Sequence, residues 1–189
     1  MSKDRYWVVT YGCQMNEYDS EVIKGYLEEN GFIPAENERE ADLYLINTCA
    51  VREKAEKKVL SRLGTLRQFK EQNPDSILVL LGCMIQQKGM AEYLKKRFPF
   101  IDLLLGPQAL SRFPILLEEV RKNKKTVVDT QPGPRDIVFP IKRDNNIRAW
   151  VPISHGCNNY CSYCIVPYVR GKEVSKKPFL IIKEVKQLA

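Results

Sequence analysis

Four short runs of the chain are apolar at nearly every position: Tyr6–Thr10 (YWVVT), Asp42–Asn47 (DLYLIN), Ile77–Leu81 (ILVLL) and Ile101–Leu105 (IDLLL). A strand with only one buried face alternates apolar and polar residues, so runs apolar throughout require cover on both faces. Between them lie segments with helical spacing. Asp19 or Ser20 is expected to cap a helix carrying Val22, Ile23, Tyr26 and Leu27 and ending at Gly31. Further helices are expected from about Val51 to Glu71 (stopped by Pro74), from about Gln86 to Arg97, and near Leu110–Lys122. Thr126–Asp129 adds a short fifth strand. The alternation predicts an α/β fold, an open parallel sheet with helices on both faces.

The pattern breaks at Thr130–Arg148 (TQPGPRDIVFPIKRDNNIR), where Pro132, Gly133, Pro134 and Pro140 mark a linker. Trp150–Ser154 (WVPIS) reads as a new strand, followed by a cysteine-rich loop and a helix from about Pro178. The expected domains are therefore residues 1–129, a linker at 130–148, and a second unit at 149–189.

No apolar run approaches bilayer length, and the first residues lack a signal-peptide core, which makes the cytoplasm the expected location and leaves membranes out. In a reducing compartment six cysteines point to metal or redox chemistry rather than disulfides. The net charge of +7 permits a nucleic-acid partner, although the basic clusters sit among acids and also read as solvated faces.

Cys157, Cys161 and Cys164 fall as CxxxCxxC in His155–Gly171 (HGCNNYCSYCIVPYVRG). Thiolates this close on a loop rich in glycine and asparagine can converge on one iron–sulfur cluster, leaving one of four irons without protein sulfur. The competing readings are a zinc site completed by His155, the single histidine, and buried structural thiols. His155 is too close in sequence to Cys157 for easy tetrahedral reach, and the loop is too polar for a core.

Cys13, Cys49 and Cys83 are far apart, yet each ends a strand: WVVTYGC, LYLINTC and LVLLGC. Loops after successive parallel strands line one sheet edge, where ligand sites form. Three thiols from three such turns are expected to converge and to hold a second cluster.

The CxxxCxxC spacing with Tyr163 before its last cysteine resembles the radical S-adenosylmethionine superfamily. That resemblance implies a 4Fe-4S cluster on Cys157, Cys161 and Cys164, with S-adenosylmethionine chelating the open iron and yielding a 5′-deoxyadenosyl radical on reduction. It also implies an α/β barrel, whose first βα unit alone would be present here, and a cofactor adenine near the backbone of Tyr163. YGCQMNEYDSE (11–21), NTCAVREKAEKKV (47–59), GCMIQQKG (82–89) and GCNNYCSYCIVPYVRGKE (156–173) together resemble the methylthiotransferase family. This implies a second 4Fe-4S cluster on Cys13, Cys49 and Cys83 and a sulfur-transferring activity.

The wording around the first two cysteines resembles members acting on N6-isopentenyl (dimethylallyl) adenosine beside a tRNA anticodon. Members acting on threonylcarbamoyladenosine in tRNA or on a ribosomal protein stay open as alternatives, as does a non-catalytic iron–sulfur or zinc fragment. An adenine C-2 hydrogen is beyond the reach of a side-chain base, so no residue is assigned an acid–base role. The implied partners are the tRNA anticodon loop and an electron donor such as a flavodoxin or ferredoxin; the chain is expected to be a monomer. Arg170 and Lys172 could touch phosphate, bind cofactor or lie on a solvated surface. Val174–Lys177 (VSKK) departs from the arginine-rich segment frequent in the family. The chain is expected to be the N-terminal fragment of a longer enzyme, inactive alone, with its tail after Arg148 packing poorly.

Overall fold

The structure, a computed structural model, describes residues 4–51, 53–134 and 140–188. In chain order the elements are β1 (Arg5–Tyr11), α1 (Gln14–Glu29), β2 (Ile33–Pro34), β3 (Leu43–Thr48), α2 (Glu53–Gln72), β4 (Ile77–Gly82), α3 (Met90–Arg97), β5 (Leu103–Leu105), α4 (Phe113–Asn123), β6 (Val127–Asp129), β7 (Ser154–His155), α5 (Val166–Val169), β8 (Val174–Ser175) and α6 (Pro178–Leu188). The six strands β1–β6 form one parallel sheet in the order β2-β1-β3-β4-β5-β6.

Alternate strand residues feed two cores. Leu43, Leu45, Val79, Leu81, Leu103 and Leu105 pack beneath α1 and α4, against Val22, Ile23, Leu27, Phe113 and Leu117. Tyr44, Ile46, Leu78, Leu80 and Leu104 pack beneath α2 and α3, against Val59, Leu63, Leu66 and Leu94. Every residue of β3 is buried, which is why DLYLIN shows no polar alternation.

Several boundaries move for physical reasons. Helix α1 begins at Gln14 with Cys13 as its N-cap, not at Asp19 or Ser20. Those two polar residues are buried inside the helix, where Asp19 pairs with Arg170 and Ser20 bonds Thr10 and Asn47. Helix α3 starts at Met90 rather than Gln86 because Gly89 sits at φ +77. Before it, Ile85, Gln86 and Gln87 donate three residues back in a tight turn. The fourth run, Ile101–Leu105, shortens to Leu103–Leu105, since the Asp102 carboxylate accepts from the Leu78 amide and from Lys70.

Beyond β6 the described chain straps back along α1. Lys142 donates to the Glu21 carbonyl at 3.0 Å, and the Pro140 carbonyl presses on Gly25. Residues 135–139 of the expected linker lie outside the described residues. The expected strand at Trp150–Ser154 is reduced to Ser154–His155, paired antiparallel with Val174–Ser175. Pro152 carries no N–H for a ladder, and Trp150 turns toward α1, its indole donating to Glu17 at 2.5 Å.

The tail does not pack as poorly as its short length suggests. Val169, Arg170 and Glu184 are buried, while α6 leaves Phe179, Ile182 and Val185 exposed. Among the described residues no helix is long and apolar enough to cross a membrane.

Candidate metal centre and its buried arginine

Cys13, Cys49 and Cys83 follow β1, β3 and β4 directly, and parallel pairing in register puts their turns side by side: Tyr11 opposes Thr48, and Thr48 opposes Gly82. The Cys49 amide donates to the Tyr11 carbonyl at 3.0 Å, which ties the first two turns together. All six cysteines are free thiols.

A buried polar lattice shapes this edge. Asn16 Nδ2 donates to Asn47 Oδ1 at 2.8 Å and to the Thr48 carbonyl at 3.2 Å. Asn47 Nδ2 donates to the Asn16 carbonyl at 2.9 Å and to Ser20 Oγ at 3.0 Å. Asn16 Oδ1 also accepts from the Cys13 amide at 3.3 Å. At the third turn, Gly82 has φ +107 and lies so close to β3 that a Cβ would overlap the Thr48 carbonyl and approach Asn47 Oδ1 to 2.6 Å. Sequence reasoning gave Asn16, Asn47 and Gly82 no role, although each lies within two or three residues of a cysteine in the motifs quoted.

The thiols differ sharply in proton affinity. A hydrogen bond from Cys49 brings the Cys13 thiol down to about 5, against the opposing effect of burial. The Asn16 and Met15 amides at the start of α1 and the Arg170 charge add to this lowering. Cys49 moves upward because it shares its proton with Cys13 and is buried, although the Val51 amide donates to its sulfur at 3.3 Å. Burial also raises Cys83, with Arg170 pulling the other way.

Arg170 comes from the far end of the chain, just past α5. Its Nε donates to Cys83 Sγ at 3.0 Å, and its Nη2 lies 2.8 Å from Asp19 Oδ2. Only 8% of it is exposed. Arg170 is therefore not on a solvated surface, one of the three roles open to it from sequence. The next residue, Gly171, accepts from the Cys157 amide at 3.1 Å. Two consecutive residues thus join the Cys83 turn to the CxxxCxxC loop.

That loop is held mainly by backbone. Gly156, at φ +75, lies against the Gly171 and Lys172 carbonyls where a Cβ would overlap both. The Cys164 amide donates to the Cys161 carbonyl at 2.9 Å, and the Glu173 amide donates to Asn158 Oδ1 at 3.0 Å. Cys161 is exposed, Cys157 and Cys164 half-buried, and Tyr163 is 91% exposed. Tyr160 and Tyr168 meet edge to face beside it. His155 lines a cleft of about 460 Å³ with Asp19, Arg143 and Arg170, between α1 and α6. Among the described residues no three histidine, cysteine or carboxylate side chains stand close enough to hold a single metal ion. As a donor set, Cys13, Cys49 and Cys83 are soft thiols with a buried cation beside them, and the nearby carboxylate of Asp19 is engaged by Arg170. Such a set fits an anionic iron–sulfur group.

Residues 5–106 match the family described as "Uncharacterized protein family UPF0004". Over 98% of its length the chain is 49% identical to the tRNA-2-methylthio-N(6)-dimethylallyladenosine synthase of Natranaerobius thermophilus, covering 42% of that protein. The synthase of the same name from Carboxydothermus hydrogenoformans is 46% identical over 100% of the chain, with 43% of that protein covered. The one from Pelotomaculum thermopropionicum is 48% identical over 98% of the chain, again with 42% covered. The chain spans less than half the length of these curated relatives.

Proposed function

This chain belongs to the family UPF0004, and from that premise we propose that it is the cluster-holding part of a tRNA methylthiotransferase. The reaction proposed is addition of a methylthio group to C-2 of N6-isopentenyladenosine next to the anticodon, as the names of the relatives indicate for those proteins. Cys13, Cys49 and Cys83 would hold one 4Fe-4S cluster, and Cys157, Cys161 and Cys164 another that takes S-adenosylmethionine. When bound, such clusters supply one-electron chemistry and an open coordination position, which no side chain offers.

The observation that carries this reading is the Arg170–Gly171 step, which touches Cys83 with one residue and Cys157 with the next. The chain's own residues have definable tasks in it. Cys13, its proton affinity lowered by Cys49 and the α1 amides, offers a thiolate at neutral pH. Asn16 and Asn47 fix the turns that carry Cys13 and Cys49. Gly156 folds the second loop tightly enough to present Cys157 beside Gly171. Tyr163 would lie along the cofactor adenine through its backbone. A base splayed from the anticodon loop can stack on exposed aromatic rings, and the net charge of +7 favours the RNA backbone. A small electron-transfer protein of the flavodoxin or ferredoxin class would supply the reducing equivalents.

Nucleoside mass spectrometry of tRNA tests the reading. Disrupting the gene that encodes this chain should remove 2-methylthio-N6-isopentenyladenosine and leave N6-isopentenyladenosine in its place. Persistence of the methylthiolated nucleoside would overturn the substrate assignment. Loss of the equivalent threonylcarbamoyl nucleoside instead would move it to the sister substrate.

A further inference from the structure

A guanidinium removed from water carries a heavy desolvation cost unless its partners restore that loss, and an apolar side chain docks two segments with less penalty. Arg170 is nevertheless buried, with Asp19 on one edge and the sulfur of Cys83 on the other. Docking alone does not call for a cation here. The position of the charge does: it lies within hydrogen-bond distance of one of three thiols that gather at the sheet edge.

We propose that Arg170 is a positioning residue that fixes the Cys83 sulfur and sets the electron affinity of the group held by Cys13, Cys49 and Cys83, with Asp19 orienting it. This rests on the reading that those three cysteines hold an iron–sulfur cluster. An N–H donor on a ligating sulfur and a buried positive charge both stabilise the more electron-rich state, so they raise the reduction potential. Asp19 contributes the opposite sign from farther away. Because Arg170 adjoins Gly171, which holds the Cys157 amide, the same residue couples the docking of the second cysteine loop to the electronics of the first.

The experiment uses the 189-residue chain carrying Cys157→Ala, Cys161→Ala and Cys164→Ala, reconstituted anaerobically with iron and sulfide. Removing Cys13, Cys49 and Cys83 from that background must abolish iron binding. If iron stays, the cluster reading itself fails, and this is seen before Arg170 is touched. With the cluster present, an EPR-monitored reductive titration should give a more negative midpoint for Arg170→Gln, with Arg170→Lys recovering most of the shift. Asp19→Asn should shift the midpoint the opposite way, and this arm stands even where Arg170→Gln does not fold. Equal midpoints for wild type and Asp19→Asn, or shifts of the same sign for Asp19→Asn and Arg170→Gln, would overturn the proposal, since a purely structural role predicts no reversal of sign.

Discussion

Asn16 and Asn47 hold each other in a closed exchange: Asn16 Nδ2 donates to Asn47 Oδ1 at 2.8 Å, and Asn47 Nδ2 donates to the Asn16 carbonyl at 2.9 Å. Both are fully buried, one at the start of α1 and the other inside β3. The pair therefore clasps the turn bearing Cys13 to the turn bearing Cys49. Such polar groups inside a core are tolerated because each finds a partner, and removing one partner exposes the full desolvation cost of the other.

Asn47→Ala should lower the unfolding free energy by about 1–3 kcal/mol, the cost of buried groups left without partners. Urea denaturation of the metal-free chain reads this as a lower midpoint at unchanged slope. A midpoint equal to that of the parent would mean that the exchange adds nothing to the fold.

Gly82→Ala should also destabilise, for a different reason. The φ of +107 is costly for any residue with a Cβ, by about 1–3 kcal/mol, and the added atom would overlap the Thr48 carbonyl. Gly64 supplies the control: it lies exposed within α2 with nothing within 4 Å of a Cβ. Gly64→Ala should therefore stabilise by roughly 0.5–1 kcal/mol through lower chain entropy. Opposite signs for the two glycines in thermal melts are the expected result; equal signs would remove the steric account of Gly82.

The thiols should separate by reactivity in the metal-free chain. Cys13 has its thiol brought down to about 5, so its thiolate persists through neutral pH and is lost only as pH falls through that value. Cys49 moves upward and stays protonated over the same range. Iodoacetamide labelling followed by peptide mapping should show Cys13 reacting faster than Cys49 at pH 7, with a Cys13 profile that declines toward pH 5. A Cys13 profile centred near the ordinary thiol value of about 8.5 would show that the Cys49 hydrogen bond and the α1 amides do not act as described.

Much of this architecture is legible in the sequence because the relevant forces are local. β3 and β4 are buried on both faces, so their runs are apolar at nearly every position, and a cysteine at the end of each strand marks the sheet edge. What escapes sequence reading depends on contacts between distant residues. Asp19 has the composition of a helix cap and serves as the counter-ion of Arg170. Arg170, in a basic stretch beside a cysteine loop, looks like a phosphate contact and lies buried against Cys83. Ile33–Pro34 is too short to read as a strand, and it forms only because β1 has a free edge there. Pro152 and Trp150 together curtail a strand that its apolar residues alone would favour.

Arg143 carries the last prediction, because it joins three parts of the chain. Its Nη1 lies 2.8 Å from Glu21 Oε2 in α1, and its Nη2 lies 2.6 Å from Glu184 Oε1 in α6. Glu184 also pairs with Lys176. The three side chains Arg143, Glu21 and Glu184 are each at most 14% exposed, so removing the shared cation takes the ion-pair partner from Glu21 and leaves Glu184 with Lys176 alone, in a poorly hydrated site. Breaking such a group by deleting one member costs about 3–5 kcal/mol, whereas replacing members by apolar residues of similar volume is often neutral. Arg143→Met should therefore loosen the attachment of α6, read as lost amide-exchange protection over residues 178–188 with β3 and β4 still protected. Adding Glu184→Leu to Arg143→Met should restore part of that protection, because it removes a carboxylate that has lost one of its two cations and places an apolar side chain in the cleft that Leu180 and Val22 also line. Unchanged exchange in α6 for Arg143→Met would show that the apolar contacts of α6, and not this charge cluster, hold the tail to the sheet domain.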